Sequence, residues 1–321
     1  MKKKIILISG DPNSINSEII FKTFKKINQT IRNKIYLISN YNLINDQFRK
    51  LNYSIKTKIV KDINEISTDD KLKIINVNLN FKDSFNVNKS SASKFIIKSL
   101  NIGHKYALQN NVAGLINCPI NKNLFKKDKI GVTEYLAAKC LIKNKSEVML
   151  IKNKKFSVSP MTTHIDIRDI PKQLTKEIII NKIKTLNNWY MDFYKKKPKI
   201  GILGLNPHNA ELRKKSEEIK IILPAIKKMK KLGIKLDGPL VSDTLFMKDY
   251  KKYNIVIGMY HDQVLAPFKA IFKFDAINVT LGLKYLRVSP DHGVATNLIG
   301  EKKADPHSLI KCINFLNKFG Q

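Results

Sequence analysis

"NIVIGMYHDQVLAPFK" (residues 254–269) begins as an apolar, strand-like segment and runs directly into His261, Asp262 and Gln263 before it closes on Lys269. A loop that only reverses the chain needs Gly, Asn or Pro, which satisfy turn geometry without a titratable ring or a carboxylate. The polar groups at the end of this strand therefore predict a loop that carries chemistry.

Similar short apolar runs recur along the chain and alternate with longer amphipathic segments. The other predicted strands are "KIILIS", "KIYLIS", "KLKIINV", "AGLINCPI", "SEVMLIK", "KIGILGL" and "AINVTLG". The predicted helices are "SEIIFKTFKKIN", "SASKFIIKSLNIGHKYALQ", "TKEIIINKIKTLNNWYMDFY", "EEIKIILPAIKKMKKLG" and "PHSLIKCINFLNKF". This alternation predicts an α/β fold with a parallel sheet, and the absence of a Pro/Gly-rich linker predicts lobes joined through the sheet.

The composition predicts a soluble globular protein. The chain has 321 residues, 43% of them hydrophobic, and no run of 18 apolar residues, so we expect two domains and no membrane span. The start, "MKKKIILISGDP", has too short an apolar run for a secretory signal and predicts a first strand instead. The three cysteines are far apart and form no Cys-x-x-Cys pair, which favours a reducing cytoplasm without disulfides.

The net charge of +33 raises the question of a nucleic-acid partner. The lysines, however, are spread over every segment and accompany an equally heavy use of Asn and Ile, and the sequence has no RNP, KH or zinc-finger pattern. We therefore expect a solvated basic surface, with no nucleic-acid partner and no membrane partner. Nucleic-acid binding stays as an alternative that explains only the charge.

Three of the six histidines close strand-like segments. His164 ends "FSVSPMTTH", His208 ends "GILGLNPH" and His261 ends "NIVIGMYH". Ligands of open α/β sheets bind at the carboxyl ends of the strands, so the equivalent placement of three imidazoles predicts an open site for a divalent metal. Taken singly, a histidine at such a place is more often a loop residue satisfied by the backbone, and the intervals between these three match no compact metal motif.

The polar groups that follow suit an anionic substrate. The ammonium group of Lys269 is a point charge, Asn278 provides an amide, and Arg287 provides a planar guanidinium. Together these groups fit a phosphate or a carboxylate. Asp243 is predicted either as a helix N-cap or as a catalytic group. The chain has neither G-x-G-x-x-G nor G-x-x-x-x-G-K-[ST], so a standard dinucleotide fingerprint and a P-loop are both excluded.

Eight motifs, taken in order, carry a family resemblance. They are "SGDPNSINSEI" (9–19), "PINK" (119–122), "GVTEYLA" (131–137), "MTTHIDIRDIP" (161–171), "GLNPHNAE" (204–211), "GPLVSDTLF" (238–246), "YHDQVLAPFK" (260–269) and "VTLGLKYLRVSPDHGVA" (279–295). Over nearly its whole length the chain resembles the 4-hydroxythreonine-4-phosphate dehydrogenases of pyridoxal phosphate biosynthesis. The resemblance implies a fold similar to isocitrate and isopropylmalate dehydrogenases: two α/β/α lobes with a central cleft, in a homodimer whose active site is shared between subunits. We expect a cofactor-side lobe at 1–125 plus 265–321, and a metal-binding and dimerisation lobe at 126–264.

The resemblance also implies site residues, position by position. The divalent-metal ligands, for one Zn, Mg or Co per subunit, match His164, His208 and His261. The substrate contacts match Thr133, Lys269, Asn278 and Arg287, and we expect Lys269 and the candidate base Asp243 to be catalytic. The cofactor is NAD or NADP, with expected contacts at Leu281, Gly282, Asp291, His292, Gly293 and Ala295. The implied reaction oxidises 4-phosphohydroxy-L-threonine to 2-amino-3-oxo-4-phosphooxybutanoate, which decarboxylates to 3-amino-2-oxopropyl phosphate.

The chain departs from the family pattern at three places. Val132 stands where the family has a substrate-contacting histidine, "NSINSE" (13–18) replaces A-G-I-G-P-E, and Asn117-Cys118 replaces Thr-Gly. Loss of glycine narrows the backbone geometries available and could crowd a ligand. A sister dehydrogenase acting on a related four-carbon hydroxy acid, phosphorylated or not, therefore stays open as an alternative. A metal-dependent hydrolase or lyase is a separate alternative, which would explain the histidines but not "DHGVA" or "VTLGL".

Overall fold

The computed structural model describes residues 3–65, 70–125, 131–142, 146–273 and 275–319 of the chain. The strands are β1 (Lys4–Ile8), β2 (Ile35–Ser39), β3 (Thr57–Val60), β4 (Leu72–Asn76), β5 (Val112–Asn117), β6 (Val148–Lys152), β7 (Ser157–Pro160), β8 (Ile200–Leu203), β9 (Leu236–Leu240), β10 (Ile255–Gly258), β11 (Ile277–Leu281) and β12 (Arg287–Pro290). The α-helices are α1 (Asn16–Lys26), α2 (Gln29–Arg32), α3 (Tyr41–Lys50), α4 (Lys89–Ala107), α5 (Val132–Lys139), α6 (Ile170–Gln173), α7 (Lys176–Tyr194), α8 (Leu223–Lys231), α9 (Ser242–Leu245), α10 (His261–Phe272) and α11 (His307–Phe319).

The chain divides into two compact units. The first consists of Met1–Cys140 and Leu283–Gln321, and the second of Leu141–Gly282. These divisions fall later along the chain than the predicted lobe boundaries, and position 126, the predicted start of the second lobe, lies outside the described residues. The assignment of a cofactor-side lobe and a metal-binding lobe stays a prediction.

In the first unit the strands run parallel in the order β3–β4–β2–β1–β5–β12. Strand β2, with the sequence "IYLIS", is buried along its whole length, as expected for a parallel strand covered on both faces. Helix α4 packs on β1 and β5 through Phe95, Ile96 and Leu100, each at most 2% exposed. The carboxyl ends of β1, β5 and β12 consequently lie side by side.

In the second unit the strand order is β11–β6–β7–β10–β8–β9. Strands β7, β10, β8 and β9 are parallel to one another, whereas β6 runs antiparallel to both β7 and β11. The buried side chains of Phe156, Val256 and Phe268 belong to one apolar cluster under helix α10. The carboxyl ends of four parallel strands therefore share one edge of this unit.

The α/β prediction is confirmed, and all eight predicted strands and five predicted helical regions are present. Four strands were missed, namely β3, β7, β9 and β12. Each has only four or five residues, and three of them contain proline, as in "SVSP", "LDGPL" and "RVSP". Such short runs carry too little apolar periodicity to be recognised without their neighbours.

The segment after Tyr260 corrects one prediction, because it is a helix and not a loop. Helix α10 begins at His261, with Asp262 in its first turn where a negative charge complements the helix dipole. Val264 and Phe268 form its buried face, four residues apart. Within the described ranges, no helix is long and apolar enough to cross a membrane.

Candidate functional site

Three adjacent strands of the second unit carry the predicted histidines at their carboxyl ends. His164 follows β7, His261 follows β10 and His208 follows β8, and the strands are neighbours in that order. The rings of His164 and His261 lie with their centroids 5.5 Å apart. The His261 Nδ1 atom is 2.7 Å from Oδ1 of Asp262, a carboxylate contact that holds the ring and leaves Nε2 as the nitrogen for a ligand.

His208 is exposed and does not join the other two rings. Among the described residues, no group of three or more His, Cys, Asp or Glu side chains is positioned to hold a metal. The backbone from His208 to Leu212 is left-handed, with φ between 48° and 57°. Non-glycine residues pay about 1–2 kcal/mol each for this conformation, so the run is strained and must be fixed by its surroundings. The structure thus brings together two of the three predicted metal ligands and places the third on the next strand end.

Glu218 holds the loop that leads from β8 to His208. Its side chain is fully buried, and its carboxylate accepts hydrogen bonds from the backbone N–H groups of Leu205 and Asn206, both at 2.8 Å, and from the side-chain amide of Asn206. Burial by itself raises the pKa of the Glu218 carboxyl, but the hydrogen bonds from Asn206 and Leu205 outweigh burial, and the pKa lies below its usual value. Sequence reasoning missed this residue. The signal available was a glutamate that opens an apolar helical pattern shortly after a strand-end loop.

Gln263 joins the loops that carry His261 and His208. Its Oε1 accepts a hydrogen bond from the backbone N–H of Met259 at 2.7 Å, and its Nε2 donates to the carbonyl of Gly204 at 2.7 Å. One amide therefore ties the end of β10 to the end of β8.

Asp243 lies just after β9, the strand next to β8. It is exposed in the first turn of α9, whose N-cap position is occupied by Val241, so the N-cap interpretation of Asp243 is wrong. The predicted base Asp243 therefore lies at the carboxyl end of β9, on the same edge of the second unit as the three histidines.

In the first unit, the buried side chain of Arg287 forms hydrogen bonds with two other polar side chains, those of Asn117 and Thr133. It is 4% exposed, its Nε donates to Oδ1 of Asn117 at 2.7 Å, and its guanidinium also donates to Oγ1 of Thr133 at 3.3 Å. Burial lowers the pKa of the guanidinium to about 10, so Arg287 is charged at neutral pH. Asn117 was noted in the sequence only as a departure, and its role as the acceptor for Arg287 appears only in the fold.

The altered segment at 13–18 is held together by its own polar side chains. Asn13 exchanges two hydrogen bonds of 2.8 Å with the backbone of Val87, and Nδ2 of Asn16 donates to the carbonyl of Pro119 at 2.9 Å. Gly10 keeps φ at +78°, and a Cβ atom there would lie 2.6 Å from the Pro119 carbonyl oxygen. The segment thus replaces the family glycines with hydrogen bonds that join the ends of β1 and β5.

Two predicted substrate contacts, Lys269 and Asn278, belong to the second unit, on α10 and β11 respectively. Lys269 lies eight residues after His261 on the same helix, which is about 12 Å along the helix axis. Their predicted roles in substrate binding remain untested.

The predicted cofactor contacts fall on two segments. Leu281 and Gly282 end β11, and a Cβ atom at Gly282, where φ is +85°, would lie 2.9 Å from the carbonyl oxygen of Ser146. This glycine is therefore required by the local packing itself. The second segment follows β12 at the carboxyl edge of the first unit: Asp291, His292, Gly293 and Ala295.

The loop after β12 has features that suit a polar ligand. The Nδ1 atom of His292 is 2.9 Å from the carbonyl oxygen of Gly293, while its Nε2 atom is buried and has no partner within the described chain. A Cβ atom at Gly293 would meet nothing within 4 Å, so the backbone there is open to close approach.

The strand order and the two compact units first define a fold class, the α/β fold that isocitrate dehydrogenases also have. An isocitrate dehydrogenase from Methylococcus capsulatus aligns with 98% of this chain and 85% of its own, with a TM-score of 0.50 at 10% sequence identity. That likeness concerns the fold alone, and it confirms the predicted fold class.

The family is defined more closely by sequence. The chain belongs to the family of the pyridoxal phosphate biosynthetic protein PdxA, whose model matches residues 30–316. It is 37% identical over 315 residues to a 4-hydroxythreonine-4-phosphate dehydrogenase from Sulfurihydrogenibium, covering 97% of this chain and 96% of the relative. A crystal structure of 4-hydroxythreonine-4-phosphate dehydrogenase from Klebsiella pneumoniae aligns with 99% of this chain and all of its own, with a TM-score of 0.83 at 25% identity. The resemblance seen in the sequence motifs is confirmed.

Proposed function

We propose that this protein is an NAD(P)- and divalent-metal-dependent dehydrogenase that oxidises the secondary hydroxyl of 4-phosphohydroxy-L-threonine. The product, 2-amino-3-oxo-4-phosphooxybutanoate, then loses carbon dioxide to give 3-amino-2-oxopropyl phosphate. The observation that carries this proposal is the placement of three histidines at the ends of three adjacent strands, in a chain that belongs to the PdxA family.

The residues at this edge fit a divalent metal in their donor chemistry. The rings of His164 and His261 lie with their centroids 5.5 Å apart, and the carboxylate of Asp262 fixes the ring of His261. His208, on the next strand end, would complete the set. A metal held there would lower the pKa of the substrate hydroxyl, and a nicotinamide would accept the hydride. Asp243 is the proposed proton acceptor, and His292 with Gly293 is the proposed contact for the cofactor.

Arg287 is the proposed anchor for the anionic end of the substrate. Its guanidinium is oriented by Asn117 and Thr133, so little side-chain freedom is lost when a phosphate or carboxylate binds. Lys269 and Asn278 are proposed as further contacts, in a homodimer whose subunits share the active site. We also propose a cytoplasmic location.

The assay that tests this function follows NADH or NADPH formation with 4-phosphohydroxy-L-threonine and each of Zn²⁺, Mg²⁺ and Co²⁺. Release of carbon dioxide is measured in the same reactions. Oxidation with at least one metal supports the proposal. Carbon dioxide or phosphate release without any reduction of the nicotinamide would instead favour a hydrolase or lyase.

Metal removal is expected to abolish activity. Because the proposed ligands are neutral imidazoles at adjacent strand ends, we expect about one divalent ion per subunit, with activity lost on chelation and restored by metal. His261→Ala should lower metal affinity at least tenfold. The control, His307→Ala, changes an exposed histidine of the first unit and should bind metal normally. Full activity in chelator, with no metal by elemental analysis, would contradict this prediction.

A sister activity on a related four-carbon hydroxy acid is the second candidate, favoured by Val132. This side chain begins α5 and packs against the apolar cluster of the first unit, next to Thr133. If the family substrate is correct, Val132→His should lower the Michaelis constant for the phosphorylated substrate, because an imidazole at a helix N-terminus adds a donor for phosphate. Val132→Ala is the control for lost packing. A higher Michaelis constant in Val132→His would favour the sister activity.

A further inference from the structure

Lysines collect at the edge of the second unit where the parallel strands begin. Strands β7, β8, β9 and β10 are parallel, and β11 has the direction of β7 because both run antiparallel to β6. The segments that precede these strands therefore lie along one edge, opposite the candidate site. Twelve exposed lysines in these segments form what we call the basic edge: Lys154, Lys155, Lys195, Lys196, Lys197, Lys199, Lys230, Lys231, Lys235, Lys251, Lys252 and Lys273.

The opposite edge of the same unit has the reverse balance of charge. Its loops, at 161–169, 204–218, 241–247 and 259–262, carry seven Asp or Glu residues and four Lys or Arg residues. The basic edge has twelve lysines against four aspartates, which are Asp192, Asp237, Asp249 and Asp275. If the lysine bias of the whole chain were the cause, both edges of the second unit would be rich in lysine. The fold itself therefore places the positive and negative side chains on opposite edges.

Most of the positive charge on the basic edge is not neutralised within the protein. Lys199 pairs with Asp237 at 3.2 Å and Lys252 pairs with Asp249 at 2.8 Å. The other ten lysines have no carboxylate within ion-pair distance in the part of the chain that the structure describes. Unpaired like charges on one face repel one another, and a bound polyanion relieves that repulsion.

The basic edge is a narrow row with a groove at one end. Six neighbouring strands at about 4.8 Å spacing make the row about 24 Å long. The groove has a volume of about 370 Å³ and is lined by Lys199, Lys230 and Lys235 together with Gly233. A Cβ atom at Gly233 would meet nothing within 4 Å, so the groove is open at this point. Strands β9 and β8 begin beside it.

We propose that the basic edge binds single-stranded nucleic acid through its phosphate backbone, without regard to sequence. The row consists of lysines without arginine. An ammonium group interacts with a phosphate as a point charge, whereas recognition of a base edge favours planar groups, such as a guanidinium, that form two hydrogen bonds at once. A flexible strand follows a row about 24 Å long and enters a groove, which a flat bilayer cannot do. This proposal goes beyond the dehydrogenase reaction, and it reverses the expectation drawn from the even spread of lysines along the sequence.

The test measures binding of the full-length protein to a fluorescent oligouridylate of about 20 nucleotides by anisotropy, over a series of salt concentrations. Each lost phosphate contact on a single strand lowers the salt slope by about 0.7. We therefore expect the fourfold variant Lys196→Gln, Lys197→Gln, Lys230→Gln and Lys235→Gln to lose at least about tenfold in affinity at low salt, with a flatter slope. Trp189, the single tryptophan, lies on α7 shortly before Lys195 and gives a second, intrinsic signal.

A matched control removes the same charge elsewhere in the second unit, at Lys172, Lys184, Lys214 and Lys220. It should bind the oligonucleotide nearly as well as the wild type. Equal losses in both fourfold variants would overturn the proposal, because net charge alone would then account for binding. Absence of binding at about 50 mM salt, or binding to phosphatidylserine vesicles but not to the oligonucleotide, would overturn it as well. Dehydrogenase activity, measured in parallel, reports whether each variant is folded.

Discussion

Replacing Glu218 with alanine is expected to cost about 2–5 kcal/mol of unfolding free energy and to weaken metal binding at least tenfold. The carboxylate is buried and accepts the backbone N–H groups of Leu205 and Asn206. Alanine leaves both donors without a partner, and the strained backbone at His208 loses its support. Urea unfolding and calorimetric titration with metal measure the two effects.

Glu217→Ala is the matched control, because Glu217 is a partly exposed neighbour whose side chain accepts a hydrogen bond from the side-chain amide of Asn206 but none from the loop backbone within the described residues. We expect it to cost less than about 1 kcal/mol. A normal metal affinity in Glu218→Ala, despite the loss of stability, would mean that Glu218 supports the fold but does not position His208.

The pH dependence of stability provides a second readout for Glu218. Its pKa is lowered in the folded protein, so its contribution to stability is fully present above the usual glutamate pKa of about 4.3 and is lost as the pH falls through the folded value. Glu218→Gln keeps the volume but cannot titrate. Its stability should therefore fall less steeply than that of the wild type below about pH 4.3.

Replacing Arg287 with lysine is expected to lower kcat/KM by roughly 30- to 1,000-fold, about 2–4 kcal/mol, although the charge type is kept. An ammonium cannot donate to Asn117 and Thr133 in the directions of the guanidinium and still meet an anionic substrate. Oδ1 of Asn117, in a residue only 2% exposed, would lose its hydrogen bond. Arg49→Lys, on the exposed face of α3, is the control and should leave activity unchanged.

Because position 287 is buried, we expect the kcat/KM of the Arg287→Lys variant to depend on pH. A lysine in the same place has its pKa lowered by desolvation, so it loses its charge as the pH rises, whereas Arg287, with a pKa of about 10, stays charged. The ratio of variant to wild-type kcat/KM should therefore fall with rising pH.

The same ratio, measured on phosphorylated and unphosphorylated hydroxythreonine, shows whether Arg287 binds the phosphate group of the substrate. Equal losses on both substrates would contradict that role and favour the sister activity.

Several elements of the fold followed from the sequence because their apolar patterns are long. Helices α4 and α7 each repeat apolar residues over 19 positions, and β1 and β2 are uninterrupted apolar runs. Helix α10 was missed because its first three residues are polar, and strands such as β7 and β12 were missed because four residues do not establish a period. These elements are stabilised by neighbours that are distant in the sequence.

The candidate site was predictable in its residue types but not in its contacts. Equivalent positions at the ends of the apolar segments "FSVSPMTTH", "GILGLNPH" and "NIVIGMYH" identified the histidines, although β7 itself was not predicted as a strand. The contact of Asn117 with Arg287 joins residues 170 positions apart, and that of Gln263 with Gly204 joins residues 59 positions apart. Neither can be derived from spacing, because both depend on which strands are neighbours in the sheet.

The sequence by itself determined the α/β class, the family, and the three strand-end histidines, because each depends on local pattern or on motifs read in order. Only the tertiary structure decided the strand order, the hydrogen bonds from Leu205 and Asn206 to the buried carboxylate of Glu218, and the gathering of evenly spread lysines on the basic edge. The physical reason is that parallel strands bring their ends together across long stretches of chain. Charges and hydrogen-bonding groups that are far apart in the sequence thereby come to share one edge.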